Sequence, residues 1–350
     1  MEQSQTPKNH LNDSLSRVTT RLPTLRRTLV IVCSLLAALI FVSLLALSIG
    51  SVHVSLSSVL GACTGSSTVP QSDQIIILQI RLPRLLLGIV VGAGLSVAGL
   101  VFQALLRNPL AEPYILGISS GGTVGTLFAI MVLGSSSLFT PPIASFAGSA
   151  AVMGLVYSIA HRRGKLDMYT LLLAGVMIGA FFNALVLLII AVVNQELRSA
   201  FLWLMGNLSN ASAASVLVVG PPVLIAAGVL FTQAKGFNLV STGEETALQL
   251  GINVSTLKKV AYLLASFITG LVVSVSGVVG FVGLIIPHVC RMMFGPDHRL
   301  LFPASFLIGA IFMVLADLIA RTLLSPTEIP VGAVTAAIGA PLFIYLLKRT

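Results

Sequence analysis

The residues of this chain best placed to do chemistry are arginines in apolar surroundings. Arg81 and Arg84 flank Pro83 at the start of the run LLLGIVVGAGLSVAGLVFQALL, and Arg321 closes another apolar run four residues after Asp317. Proline suits the first turn of a helix. That turn carries partial positive charge, so two cations there cost about 0.3–1 kcal/mol each. An acidic partner arriving from outside the chain would offset the cost, and so would lipid phosphate. For Arg321 the local alternative is an ion pair with Asp317 one helical turn away, worth about 0.2–0.5 kcal/mol.

Other chemistries are poorly represented. Gly117-Ile118-Ser119-Ser120-Gly121 matches the nucleophile-elbow pattern. No strand precedes it, and His10, His53, His161, His288 and His298 all lie in other segments, so no catalytic residue is expected there. The histidines show no metal-ligand spacing; His288 and His298 are read as structural. Cys33, Cys63 and Cys290 are odd in number and form no C-x-x-C pair, so no metal site or disulfide framework is expected. Cys33 and Cys290 are read as small buried residues. Asp317 is the only carboxylate clearly inside an apolar span, which argues against proton or sodium coupling. On that reading, Asp317→Asn should matter little. There is also no G-x-x-x-x-G-K-[ST] loop, so the chain does not hydrolyse ATP in the P-loop manner.

The elements that carry these residues are membrane helices. The chain has 350 residues, 56% hydrophobic and 9% charged, with mean hydropathy +1.02, whereas soluble domains carry about a quarter charged residues. The fold class is therefore an all-α polytopic membrane protein. Ten spans are predicted, near 29–47, 83–106, 115–133, 142–161, 170–193, 215–233, 257–276, 279–294, 302–322 and 332–347. The eighth is the shortest and contains Pro287. Residues 1–28 read as a flexible basic cytoplasmic tail rather than a cleaved signal peptide, and 29–350 as one transmembrane domain. The net charge of +9 marks the cytoplasmic side rather than a nucleic-acid partner. With both termini inside, sixteen of the 20 basic residues fall in the cytoplasm and only Arg81, Arg84, Arg198 and Arg321 outside.

Three connections stand out. The Ser/Thr-rich stretch 50–80 reads as a short irregular cap. Residues 194–214, with the lone Trp203, read as a partly interfacial helix anchored by the aromatic ring. In 234–256, Thr242 and Glu245 form a capping-box pattern opening a short helix that ends before Gly251. That helix is either a docking element for another protein or a folded linker.

Residues 81–122, RLPRLLLGIVVGAGLSVAGLVFQALLRNPLAEPYILGISSGG, resemble the defining segment of the FecCD permeases. The resemblance continues through LLLAGVMIG at 171–179, the segment 280–321 and EIPVGAVTAAIGAPLFIYLL at 328–347, covering almost everything after the tail. These permeases are the membrane subunits of type II ABC importers for iron-siderophores, haem and cobalamin. The resemblance implies ten helices in a bacterial inner membrane and a homodimer around a central pathway. It further implies two ABC ATPase subunits beneath and a periplasmic or lipid-anchored substrate-binding protein above. The resemblance implies that no cofactor is bound by this chain itself and that ATP is used by the partner ATPase. Arg81, Arg84 and Arg321 match arginines that receive glutamates of the binding protein. Gly243, Glu244, Ala247, Leu250 and Gly251 match the coupling helices seated on the ATPase. Asn108, Leu110, Met168 and Tyr169 match a narrow cytoplasmic gate. Met168 and Tyr169 are bulkier than the small hydroxyl residues of cobalamin permeases, and the implied cargo is a ferric siderophore, with cobalamin or haem as the alternatives.

Overall fold

The structure, a computed structural model, describes residues 25–50, 52–65, 69–133, 140–162, 164–192 and 205–348. Most of the basic tail, together with Trp203, Arg198 and most of the expected interfacial helix, lies outside the described residues. The long helices are α1 (Leu25–Ser48), α4 (Leu82–Leu106), α6 (Thr140–Ala160), α7 (Met168–Val192), α8 (Ala213–Thr232), α11 (Val254–Ser276) and α13 (His298–Thr322). Each is long and apolar enough to cross a membrane. Three shorter apolar helices complete the ten predicted spans: α5 (Ile118–Leu133), α12 (Val282–Phe294) and α14 (Val331–Leu347). The first helix starts at Leu25, so Arg26 and Arg27 belong to α1 rather than to the tail. A hairpin of two-residue strands, His161–Arg162 and Lys165–Leu166, joins α6 to α7.

The stretch 50–80 is more regular than its composition suggests. Helix α2 (Leu56–Thr64) is capped by Ser55, whose Oγ accepts from Ser58 N at 3.1 Å. Helix α3 (Gln71–Ile75) then continues through a π-helical turn, Ile76–Arg81, directly into α4. This corrects the placement of Arg81 and Arg84. They are not at a free helix N-terminus, because the preceding turns satisfy the backbone N–H groups there, so the helix-end penalty does not apply.

Helix α4 is the centre of the bundle. Its apolar window is 89% buried, against 17% for α1 and 22% for α7. Glycine makes that burial possible by letting backbones approach. A Cβ on Gly92 would stand 2.2 Å from the carbonyl oxygen of Gly309 on α13, and one on Gly99 would stand 1.9 Å from that of Gly283 on α12. Around this axis pack Leu95, Leu100, Phe102, Val223, Ile268, Val272 and Met313, all buried. Phe102 meets Tyr262 edge-on, with ring centroids 6.4 Å apart.

Peripheral helices present apolar side chains outward, as lipid contact requires. Helix α7 exposes Leu173, Met177, Phe181, Leu187 and Leu188, and α14 exposes Ile344 and Tyr345. Cys290 is buried as expected, whereas Cys33 on α1 is exposed in this apolar belt.

Candidate functional site

Helices α4 and α13 run side by side, each of 25 residues and therefore about 37 Å long. A cluster of charges sits at each end of the pair.

At the first end, three cations meet two carboxylates. Arg84 Nε donates to both oxygens of Asp317, at 3.0 and 3.1 Å, and its Nη2 lies 2.9 Å from Asp317 Oδ1. Arg84 Nη1 donates to Glu328 Oε1 and Oε2 at 3.0 and 2.9 Å. Arg321 Nε stands 3.6 Å from Asp317 Oδ2 on the same helix, a looser contact. The remaining donors turn to the C-terminus of α1 and the turn just after it. Arg81 Nη1 donates to the carbonyls of Leu47 and Ser48 at 2.6 and 2.9 Å, its Nη2 donates to Val52 O, and Arg321 Nη2 donates to Ala46 O. The last carbonyls of a helix lack intrahelical partners and carry partial negative charge, so guanidinium groups are favoured there.

Arg81, Arg84, Arg321 and Asp317 are all buried, whereas the Glu328 side chain is 44% exposed. The principal partner of Asp317 is thus Arg84, 233 positions away, rather than Arg321 at i+4. Asp317→Asn, expected from the sequence to matter little, would leave two buried guanidiniums without their shared anion, so a loss of stability is expected.

The second end carries two short helices, α9 (Ala234–Thr242) and α10 (Glu244–Gln249). The expected capping box is not formed. Thr242 Oγ1 donates to Leu239 O, and Gly243, at φ +145°, separates the two helices. Glu244 Oε2 accepts from Lys258 Nζ at 2.6 Å and Oε1 lies 3.5 Å from Arg107 Nη2. Arg107 ends α4 in the left-handed region, φ +47°, and its Nη2 donates to Val240 O at 3.0 Å. Helix α9 is also tied to the start of α13. Asn238 Nδ2 donates to Asp297 Oδ1 at 2.7 Å, and Asn238 Oδ1 accepts from His298 N at 2.8 Å. Gly251 follows α10 at φ +83°, the helix-ending position expected of it.

Of the residues assigned to coupling, Ala247 is turned inward and fully buried. Leu250 is exposed, and so is Leu248, which sequence reading missed. The period of the short helix was the available signal.

The four gate residues stand on two connections. Asn108 Oδ1 accepts from Leu110 N at 2.9 Å, fixing the turn after α4 and leaving Leu110 exposed. Met168 and Tyr169 open α7, with Tyr169 76% exposed. Asp167 caps that helix by accepting from Thr170 N at 3.0 Å and from Thr170 Oγ1, and these bonds hold its carboxyl below the usual carboxylate range.

The sequence reading also missed Glu112 and Tyr114, just beyond that turn. Glu112 Oε1 accepts from Phe281 N at 2.6 Å, and Tyr114 Oη accepts from Val279 N at 3.0 Å. They satisfy the backbone of the break between α11 and α12, where Phe281 adopts φ +70°. Burial pushes the Glu112 carboxyl up, and the bond from Phe281 partly offsets this. The G-x-S-x-G segment is the start of α5, where Ser120 Oγ donates to Gly117 O at 2.9 Å and Ser119 is buried. Among the described residues no group of three His, Cys, Asp or Glu side chains is arranged to hold a metal ion.

Comparison with known proteins places this arrangement in a family. Residues 36–349 match the model of the FecCD transport family, and the chain belongs to it. The cobalamin import system permease protein BtuC of Halobacterium salinarum is 42% identical over 280 residues, 80% of this chain and 75% of that protein. The hemin transport system permease protein HmuU of Yersinia pestis is 37% identical over 320 residues, 90% and 96% of the two chains. Among solved structures, a metal-chelate type ABC transporter in an inward-facing conformation superimposes with a TM-score of 0.80 at 34% identity, covering 91% of this chain and 99% of that one. The chain is thus a multi-pass membrane permease of the ABC importer class. Its relatives are permease subunits rather than enzymes.

Proposed function

We propose that the chain is the membrane-spanning subunit of an ATP-driven importer that carries a metal chelate, a ferric siderophore, across the inner membrane by alternating access. The observation that carries this reading is the α4–α13 pair. One closely packed unit, joined by the Gly92–Gly309 approach, has Arg84, Asp317 and Arg321 at one end and Arg107 and the Asn238–His298 junction at the other. A substrate-binding protein docking at the arginine end and an ATPase seated on α9 and α10 would then act on the same pair of helices. Differential affinity of each partner for the two states supplies the shift.

The proposed placement puts both termini and the Glu244 end in the cytoplasm, following the basic residues. Two copies would associate through the exposed apolar faces of α7 and α14, which places Asn108, Leu110, Met168 and Tyr169 of each copy around a shared cytoplasmic gate. Gly243, Glu244, Leu248, Leu250 and Gly251 form the coupling surface for two ATPase subunits. Arg81, Arg84 and Arg321 form the docking site for acidic residues of the binding protein. Asp317, fully engaged by Arg84, is not available as a carrier for a coupling ion, which disfavours a secondary transporter.

A second cargo reading, cobalamin or haem, is favoured by the 42% and 37% identities to permeases of those systems. The test is uptake by proteoliposomes holding this chain, its ATPase and its binding protein, offered labelled ferric siderophore, haem and cobalamin. ATP-dependent uptake of ferric siderophore is expected. Uptake that ignores ATP but follows a proton gradient would sink the importer reading, and ATP-dependent uptake of another chelate would correct the cargo alone.

A further inference from the structure

The docking end has an occupant from its own chain. Glu328 lies in the connection between α13 and α14, which folds back on the end of α13 through Thr327 N donating to Leu324 O and Ile329 N donating to Ala320 O, both at 2.9 Å. That fold brings the carboxylate onto Arg84 Nη1, with both oxygens within 3.0 Å. The two acids on Arg84 are not equivalent. Asp317 is buried, sits on a long helix and takes Nε and Nη2; Glu328 is 44% exposed, sits on a non-helical connection and takes only Nη1. Among the described residues Glu328 makes no other ion pair.

We propose that Glu328 is an internal surrogate for the partner's carboxylate, and that docking of an acidic protein proceeds by exchange of Glu328 for a partner Glu or Asp on Arg84 Nη1. The inference rests on the docking role of the arginines given above. The chemistry of exchange is balanced. One carboxylate replaces another on the same donor, so Arg84 is never left without its second anion, and the released Glu328 returns to water at little cost because exposed pairs contribute little. Asp317 stays in place and keeps the guanidinium oriented. The partner this surface fits is therefore a protein presenting an isolated carboxylate on a protruding element. Glu328 sets its affinity and prevents indiscriminate capture of other anions by Arg84.

The experiment measures the affinity of the permease complex for the binding protein that supports uptake in the proteoliposome assay. Wild type, Glu328→Gln and Arg84→Gln are compared, with thermal unfolding recorded for each and Arg81→Gln as a second docking variant should Arg84→Gln fail to fold. Removing the competing charge in Glu328→Gln should tighten binding by up to about fivefold, the upper end of what a partly exposed ion pair contributes. The arginine variants should weaken it by at least as much. Unchanged or weaker binding by a folded Glu328→Gln, with binding still lost in the arginine variants, would overturn the exchange and leave the docking role standing. Binding unaffected by any of the variants would overturn the docking role itself.

Discussion

The two ends of the α4–α13 pair solve the same problem, holding charge beside a membrane, in opposite ways. At the Arg84 end every charge but Glu328 is buried, the central Arg84, Asp317 and Arg321 come from long helices, and the cluster is cross-linked by bidentate contacts and by the carbonyls of α1. At the Glu244 end the side chains of Glu244 and Arg107 are about half exposed, and they belong to a six-residue helix and a left-handed helix cap. Buried ion pairs cost much to break from one side, whereas exposed pairs are cheap to rearrange. The first end is built to keep its geometry and the second to shift, as a fixed receptor and a moving coupling surface require.

The sharpest way to break this contrast is to remove the anion at the rigid end. Asp317→Ala leaves Arg84 and Arg321 buried with half their partners and should cost about 3–5 kcal/mol, read as a large drop in unfolding temperature or loss of folded protein in detergent. Glu244→Lys places three cations together at the adaptable end. It should reduce ATP-driven uptake at least tenfold while lowering stability by only about 1 kcal/mol or less, since the pairs lost are partly exposed. Equal stability losses in the two variants would erase the distinction between the ends.

A smaller effect is expected at the Glu112 clasp. Glu112→Leu leaves Phe281 N–H without an acceptor and should cost about 1–3 kcal/mol. Glu112→Gln keeps an acceptor and removes a charge that burial disfavours. Because the folded pKa of Glu112 is raised above its unfolded value, the charged form weakens the fold at neutral pH and the penalty fades as pH falls through the folded value. Glu112→Gln should therefore match or exceed wild type in unfolding temperature at neutral pH and lose that advantage in acid. The smallest effect belongs to Asp167. Its folded pKa is depressed, so its contribution is present above the unfolded value, near 4, and is lost as pH falls through the folded one. Hydrogen exchange in the first turn of α7 should quicken below about pH 4 in wild type and show no such step in Asp167→Asn.

The helices were legible because apolar length and glycine spacing are local properties: all ten predicted runs appear as helices within a few residues of their predicted limits, seven of them long and apolar enough to cross a membrane. The family, too, was legible from contiguous motifs. What the sequence hid were partners. Arg84 and Asp317 are far apart in the chain, so the helix-end argument and the i+4 pair were the only accounts available locally; the first gave way, and the second is present at 3.6 Å but secondary to a contact between helices. Glu112 looked like one polar residue among several in a turn, because the break it satisfies lies in another part of the chain. Thr242 and Glu245 had the spacing of a capping box, but Gly243 left the helical region and divided the segment into two helices.

The central claim is that α4 and α13 transmit between the two ends as one body. It is tested most directly by binding-protein stimulation of ATP hydrolysis in the reconstituted complex carrying Gly309→Ala. A Cβ there would stand 2.0 Å from Ser96 Oγ and 2.5 Å from Gly92 O, forcing the two helices apart without touching either charged cluster. The account predicts that the folded variant still binds the binding protein and still hydrolyses ATP at its basal rate, but that the stimulation is lost. Stimulation equal to wild type in that variant would contradict it.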